Sequence, residues 1–179
     1  MSKEEDEFSF NESNAKKVTE IIERYPKCNK KSAVMPLLHI AQKQNNGWLS
    51  KSAIKHVASI LEMHYNKVYE LVSFYSMYND KEVGRHHIKI CSTMPCWLNG
   101  SANIVTACEK KLNIKAGQTT KDKMFTITKT QCLGACIDAP LISINDNYIE
   151  KVSPEKITLL VDNIYYKNSS TQKIEKDEK

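Results

Sequence analysis

Apolar positions recur along the first half of the chain at spacings of three and four. In the second half they gather into short alternating runs. Val18, Ile21, Ile22 and Tyr25 fall on one helical face, and Pro26 ends that helix. Val34, Leu37, Leu38 and Ala41 form a second stripe, with Ser32 placed to cap it. Pro36 stands early, where a missing N–H costs least, and Asn46-Gly47 supplies the stop. Ser50 heads a third helix carrying Ile54, Val57, Ala58 and Leu61, and Asn66 a fourth carrying Val68, Leu71, Val72 and Tyr75. Each stripe reads as core, and four together predict a small helical bundle, a binding or docking module.

Beyond Asn79 the pattern changes. Residues 80–85, with Gly84 among them, read as a linker. Residues 87–91 and 124–128 predict strands on either side of a helix over residues 101–112, with Ile104, Val105, Cys108 and Leu112 inward. Residues 141–144 and 148–152 predict a hairpin around Asn145-Asp146-Asn147. Ser153-Pro154-Glu155 opens a last helix whose buried stripe is Ile157, Leu160, Val161 and Ile164. The order strand, helix, strand, strand, strand, helix implies an α/β sandwich of thioredoxin type. The predicted class is therefore α+β: a helical docking domain over residues 13–79, then a thioredoxin-like α/β domain over residues 80–166. Composition assigns the flanking residues 1–12 and 167–179 to disordered tails.

Charge narrows the partners. The formal net charge is +5 over 179 residues, but lysines are interleaved with acids rather than blocked. That pattern reads as a solvated surface and gives nucleic-acid binding little support. No apolar run approaches the ~18 residues of a membrane span. The first ten residues, MSKEEDEFSF, lack the apolar core of a secretory signal. A cytoplasmic chain is expected, held at any membrane by a partner. In that compartment six cysteines point to metal or redox chemistry rather than disulfides.

Two cysteine pairs stand out. Cys91 and Cys96 have four residues between them, Cys132 and Cys136 have three, and thirty-five residues separate the pairs. Each pair is expected on a loop just after a strand, where two loops at one end of a sheet converge. Four thiolates select iron–sulfur or zinc, and ligand type alone does not separate these. Structural zinc sites favour tighter knuckles. The wider loops suit a cluster whose two irons each take one pair. Gly134 and Gly100 allow turns whose free N–H groups can face sulfur. A thioredoxin-like dithiol needs two residues between its cysteines, and a Rieske centre needs interleaved histidines. His86 and His87 precede Cys91 without interleaving, and a Cys91–His87 catalytic pair has nothing to single it out. Cys28 and Cys108 read as structural.

At these residues the chain resembles the thioredoxin-like [2Fe–2S] subunits of respiratory complex I, the bacterial NADH–quinone oxidoreductase. The carrying segments are residues 44–49 (QNNGWL), 72–78 (VSFYSMY), 91–100 (CSTMPCWLNG) and 132–136 (CLGAC) followed by Ala139-Pro140. They span nearly the whole chain between the tails. Ser73 stands where relatives often have Thr, a conservative departure. The resemblance implies that Cys91, Cys96, Cys132 and Cys136 hold one [2Fe–2S] cluster. It implies a larger flavoprotein partner that binds NADH and FMN, contact with other peripheral-arm subunits, and a place at the cytoplasmic face of the bacterial inner membrane. There NADH gives two electrons as hydride to the flavin, and the cluster accepts one, off the main chain to quinone. No G-x-G-x-x-G loop is found among only five glycines, so no complete active site for NADH is expected here. The equivalent subunit of an NAD-linked hydrogenase or formate dehydrogenase, and a zinc-stabilised binding module, are the alternative readings. Thioredoxin-like folds often carry a cis proline before the hairpin, and Pro140 is placed for it.

Overall fold

Helix α1 (Glu12–Glu23) starts where the Asn11 side chain accepts from the Asn14 N–H at 2.9 Å. The computed structural model describes residues 7–177, with side chains through residue 166. Residues 7–12, assigned by composition to a disordered tail, are ordered. Phe8 and Phe10 pack against the helical core and meet the His56 ring with centroids 5.7 and 5.2 Å away. Gln44 holds the same stretch through Ser9 O at 2.7 Å and Asn11 N at 3.1 Å.

Helices α2 (Val34–Gln44), α3 (Lys51–Ile60) and α4 (Tyr65–Phe74) complete the first unit. Most of the predicted set is their core, with Leu37, Leu38, Ile54, Val57, Leu61 and Val68 fully buried; Leu71 and Tyr75 are only partly buried, and Leu49, Ala53 and Tyr78 join the core without being predicted. Two predicted caps differ. Ser32 lies inside a 3-10 turn (Lys27–Ala33), so α2 begins at Val34 with no side-chain cap. His64 rather than Asn66 heads α4, its Nδ1 accepting from Asn66 N at 3.4 Å. Ser50 caps α3 as predicted, accepting from Ala53 N at 3.1 Å.

The chain divides into two compact units between Val83 and Gly84, four residues past the predicted boundary. Asn79 belongs to the first unit through bonds to Gln42 Oε1, Gly47 O and Leu49 N at 2.7–2.8 Å.

The second unit is a four-stranded sheet in the order β2-β1-β3-β4. Strands β1 (His86–Cys91) and β2 (Phe125–Thr130) run parallel, joined through α5 (Met94–Leu98) and α6 (Ser101–Leu112). Strands β3 (Ile142–Ile144) and β4 (Asn147–Ile149) add antiparallel. Asn145 and Asp146, at φ +48° and +69°, make the two-residue turn between them. One face carries Ile88, Ile90, Phe125, Ile127, Ile142 and Ile144. It packs with Ile104, Val105, Cys108 and Leu112 of α6 and Ile157 and Val161 of α7 (Pro154–Asp177). The backbone of α7 runs past residue 166, where the predicted domain ends. Residues 1–6 and 178–179 of the predicted tails lie outside the described residues. The alternation that buries Ile88 and Ile90 sends His87, Lys89 and Cys91 to the other face.

Candidate metal centre

Cys91 is the last residue of β1 and so leaves the sheet at a defined point. Its N–H donates to Leu141 O at 3.3 Å, and Ser92 N–H donates to Thr130 O at 3.1 Å. The chain then turns into α5, where Cys96 is fully buried. This corrects the expectation that each pair sits wholly on a loop. The turn is held by Trp97 N–H on Thr93 O at 2.9 Å and by Asn99 Nδ2 on Pro95 O at 2.8 Å.

Cys132 follows the end of β2. Gly134, at φ +90°, folds the loop so that its N–H faces the Cys132 sulfur at 3.4 Å. Cys136 opens a 3-10 turn (Cys136–Asp138), and the Cys132 and Cys136 sulfurs lie 3.3 Å apart. Ala139–Pro140 is a cis peptide bond, at the position where thioredoxin-like folds often carry one.

Two contacts join the pairs. The Leu133 N–H, from the second loop, faces the Cys91 sulfur and lowers its pKa. The Thr93 hydroxyl, from the first, stands 3.3 Å from Cys91 Sγ and also lowers the pKa of Cys132. Cys91, Cys96 and Leu141 share a small apolar cluster with Leu133, Ala135 and Ala139 around it. All four predicted cysteines are thus brought to one end of the sheet. Cys108 is buried in the sheet–helix core, Cys28 belongs to the helical unit, and His86 and His87 open β1 at its far end from Cys91.

The local fields sort each pair into one more acidic and one less acidic thiol. Burial pushes Cys91 up, but the Thr93 hydroxyl and N–H, the Cys96 thiol and the Leu133 N–H together hold it below its ordinary value. Burial pushes Cys96 up to about 11 against the lowering effect of the Leu141 N–H, and Cys91 adds to the rise. The Gly134 N–H, then the Cys136 thiol, lower Cys132, and the neighbouring Cys132 raises Cys136. Cysteine ligands bind metal as thiolates, so loading the site releases the protons that the four thiols still hold.

The donors fit an iron–sulfur cluster. Two sulfurs about 2.3 Å from one tetrahedral metal lie about 3.8 Å apart, so the Cys132 and Cys136 sulfurs at 3.3 Å would part by about half an ångström to take one iron. Among the described residues, no three Cys, His, Asp or Glu side chains gather on one ion position; the sulfur contacts are pairwise. Amide N–H groups from Leu133, Gly134 and Leu141 face three of the four sulfurs.

Residues 18–165 match the family model described as thioredoxin-like [2Fe-2S] ferredoxin. The chain belongs to that family. Its cofactor is a [2Fe–2S] cluster. The chain is 50% identical over 155 residues to the E subunit of NADH-quinone oxidoreductase from Rickettsia felis, covering 87% of this chain and 93% of that one. It is 48% identical over 155 residues to the protein of the same name from Rickettsia prowazekii, covering 87% and 88%. A solved NAD+-reducing [NiFe]-hydrogenase shares the fold at a TM-score of 0.65 and 20% identity. The match covers 75% of this chain and 23% of that one. In this thioredoxin-like ferredoxin the groups that sequence reasoning misses are the Thr93 hydroxyl and the Leu133 and Leu141 amides. The only sequence signal for Thr93 is a hydroxyl two residues after a ligand-type cysteine.

Proposed function

We propose that Cys91, Cys96, Cys132 and Cys136 hold a [2Fe–2S] cluster, through which this chain exchanges single electrons as the E subunit of an NADH–quinone oxidoreductase. The observation that carries the ligand reading is the crossing of the two loops. The Leu133 N–H of the second loop lowers the pKa of Cys91 in the first, and Thr93 of the first, bonded to Cys91 at 3.3 Å, lowers that of Cys132 in the second. The parent complex is read from relatives about half identical over nearly their whole length.

When bound, such a cluster takes and gives one electron at a time. The chain's own part is to hold it with the buried Cys91 and Cys96 against Leu141 on one side and the exposed Cys132 and Cys136 on the other, and to aim N–H and O–H groups at its sulfurs. FMN and NADH belong to the adjacent flavoprotein. Around the cysteines, Met94, Trp97 and Leu98 of α5 and Ile137 stand exposed, Ile137 by 93%. An apolar rim beside a redox centre suits a partner that brings its flavin close. No helix of the described residues is long and apolar enough to cross a membrane. We place the chain peripherally at the cytoplasmic face of the bacterial inner membrane, held by the complex.

Coexpression with the FMN-binding subunit of its own complex tests this reading. The two are expected to copurify with FMN and NADH oxidation on the complex, and with no NADH oxidation by this chain alone. Failure to copurify would overturn the partner.

A further inference from the structure

The two cysteine pairs differ in a way that cluster binding does not require. Cys91 and Cys96 are fully buried, whereas Cys132 and Cys136 are exposed. The exposed sulfurs are already 3.3 Å apart, so about 1.3 Å of approach brings them to disulfide bonding distance. The loop between them has room for that movement. A Cβ added at Gly134 would meet nothing within 4 Å, and Gly134 tolerates positive φ without strain.

We infer that Cys132 and Cys136 close as a disulfide in the cluster-free chain, and that this bond bars cluster insertion until it is reduced. The inference rests on the ligand reading above. The oxidant is a low-molecular-weight disulfide such as oxidised glutathione. One exposed thiolate attacks it, forming a mixed disulfide and releasing one glutathione thiol. The second cysteine then attacks the mixed disulfide at the protein sulfur, forming the Cys132–Cys136 bond and releasing the second. Two protein thiols are oxidised, one small disulfide is reduced, and their two protons leave on the glutathione. Cys91 and Cys96 take no part, because the oxidant cannot reach a fully buried sulfur. With a cluster bound, the same sulfurs are occupied as ligands and the reaction does not begin. The exposed pair then acts as a lock that marks chains not yet filled, or emptied by oxidative damage.

The test uses the full-length chain carrying Cys28→Ser, which removes the exposed cysteine of the other unit. The cluster is stripped anaerobically with a chelator and the chain is incubated with oxidised glutathione. Alkylation and peptide mapping are expected to show Cys132 joined to Cys136, no retained glutathione, and Cys91 and Cys96 alkylated after unfolding. Iron and sulfide uptake without reductant should fall at least about tenfold against a reduced sample, since two of four ligands are withheld. Dithiothreitol should restore it. Adding Cys132→Ser should leave Cys136 as a stable mixed disulfide. A persistent mixed disulfide at either position of the unaltered pair would overturn the inference. So would a bond to Cys91 or Cys96, or unimpaired filling with the bond in place. The reduced sample separates the two readings: failure to take up about two irons per chain there would strike the ligand assignment, while the sulfur map still reports whether the pair closes.

Discussion

The Thr93 hydroxyl stands 3.3 Å from the Cys91 sulfur and also lowers the pKa of Cys132, so one side chain of the first loop acts on both cysteine pairs. An O–H donor at a ligand sulfur favours the more negative, reduced cluster and raises its potential. Thr93→Val keeps the shape and removes the donor. A differential hydrogen bond of about 1 kcal/mol corresponds to about 40 mV for one electron. The variant should load its cluster and titrate about that much lower in an EPR-monitored redox titration, with Thr93→Ser close to the unaltered chain. An unchanged potential in Thr93→Val would remove Thr93 from the tuning of the site.

Gly84 is required by close approach rather than by a turn. A Cβ there would lie 2.8 Å from backbone atoms of Phe125, and the Gly84 N–H donates to Thr126 Oγ1 at 2.6 Å. Gly84→Ala should destabilise the second unit by ~1–3 kcal/mol, the usual range for overpacking against atoms that cannot move aside. The urea unfolding midpoint checks this. A midpoint equal to the unaltered chain's would show that β2 yields at no cost.

His87 gives the second unit a sensitivity to acid. His87 is 6% exposed, its Nε2 pairs with Thr128 Oγ1 at 2.8 Å, and its buried Nδ1 has no hydrogen-bond partner among the described residues. Burial, then Lys89, push its pKa from 6.5 down to about 4, against an opposing pull from Asp146. The unfolded chain therefore binds the extra proton first. The contribution to stability is whole above pH 6.5 and is lost as pH falls toward 4, about 3 kcal/mol at most. His87→Gln should flatten the fall in urea midpoint across that window. Parallel pH profiles for the two chains would contradict the assignment.

Trp97 is the large exposed member of the apolar rim on α5, beside Leu98 and Met94. Aromatic anchors carry much of the energy of protein interfaces. Trp97→Ala should weaken binding of the flavoprotein subunit about tenfold or more, with the cluster signal unchanged. Biolayer interferometry measures it, and unaltered affinity would move the interface away from α5.

What is legible in the sequence follows the range of each signal. The Ile54, Val57, Ala58 and Leu61 stripe with Ser50 at its head is local, and α3 follows it. His64 as a cap is not legible, because imidazole caps only when its Nδ1 is the free acceptor, which neighbouring sequence does not announce. Five residues of α5 are too few to show a period, so the helix under Cys96 reads as loop in the sequence. Strand β2 runs on through Lys129 and Thr130 because β1 pairs with them, Ile90 against Lys129 and Cys91 against Thr130. Spacing singles out the four cysteines. It does not say which pair is buried, nor that Leu133 and Thr93 cross between the loops, since both depend on how two distant segments meet.

The central claim is that four particular sulfurs hold one binuclear cluster. The most direct test is EPR before and after dithionite on anaerobically purified full-length chain, with iron and zinc assayed on the same samples, for the unaltered chain and for Cys96→Ser, Cys132→Ser and Cys108→Ser. The unaltered chain and Cys108→Ser should carry about two irons and show, on reduction, a signal with average g below the free-electron value. Cys96→Ser and Cys132→Ser should lose or destabilise it. About one zinc per chain with no signal, or equal cluster loss in all three variants, would contradict the account.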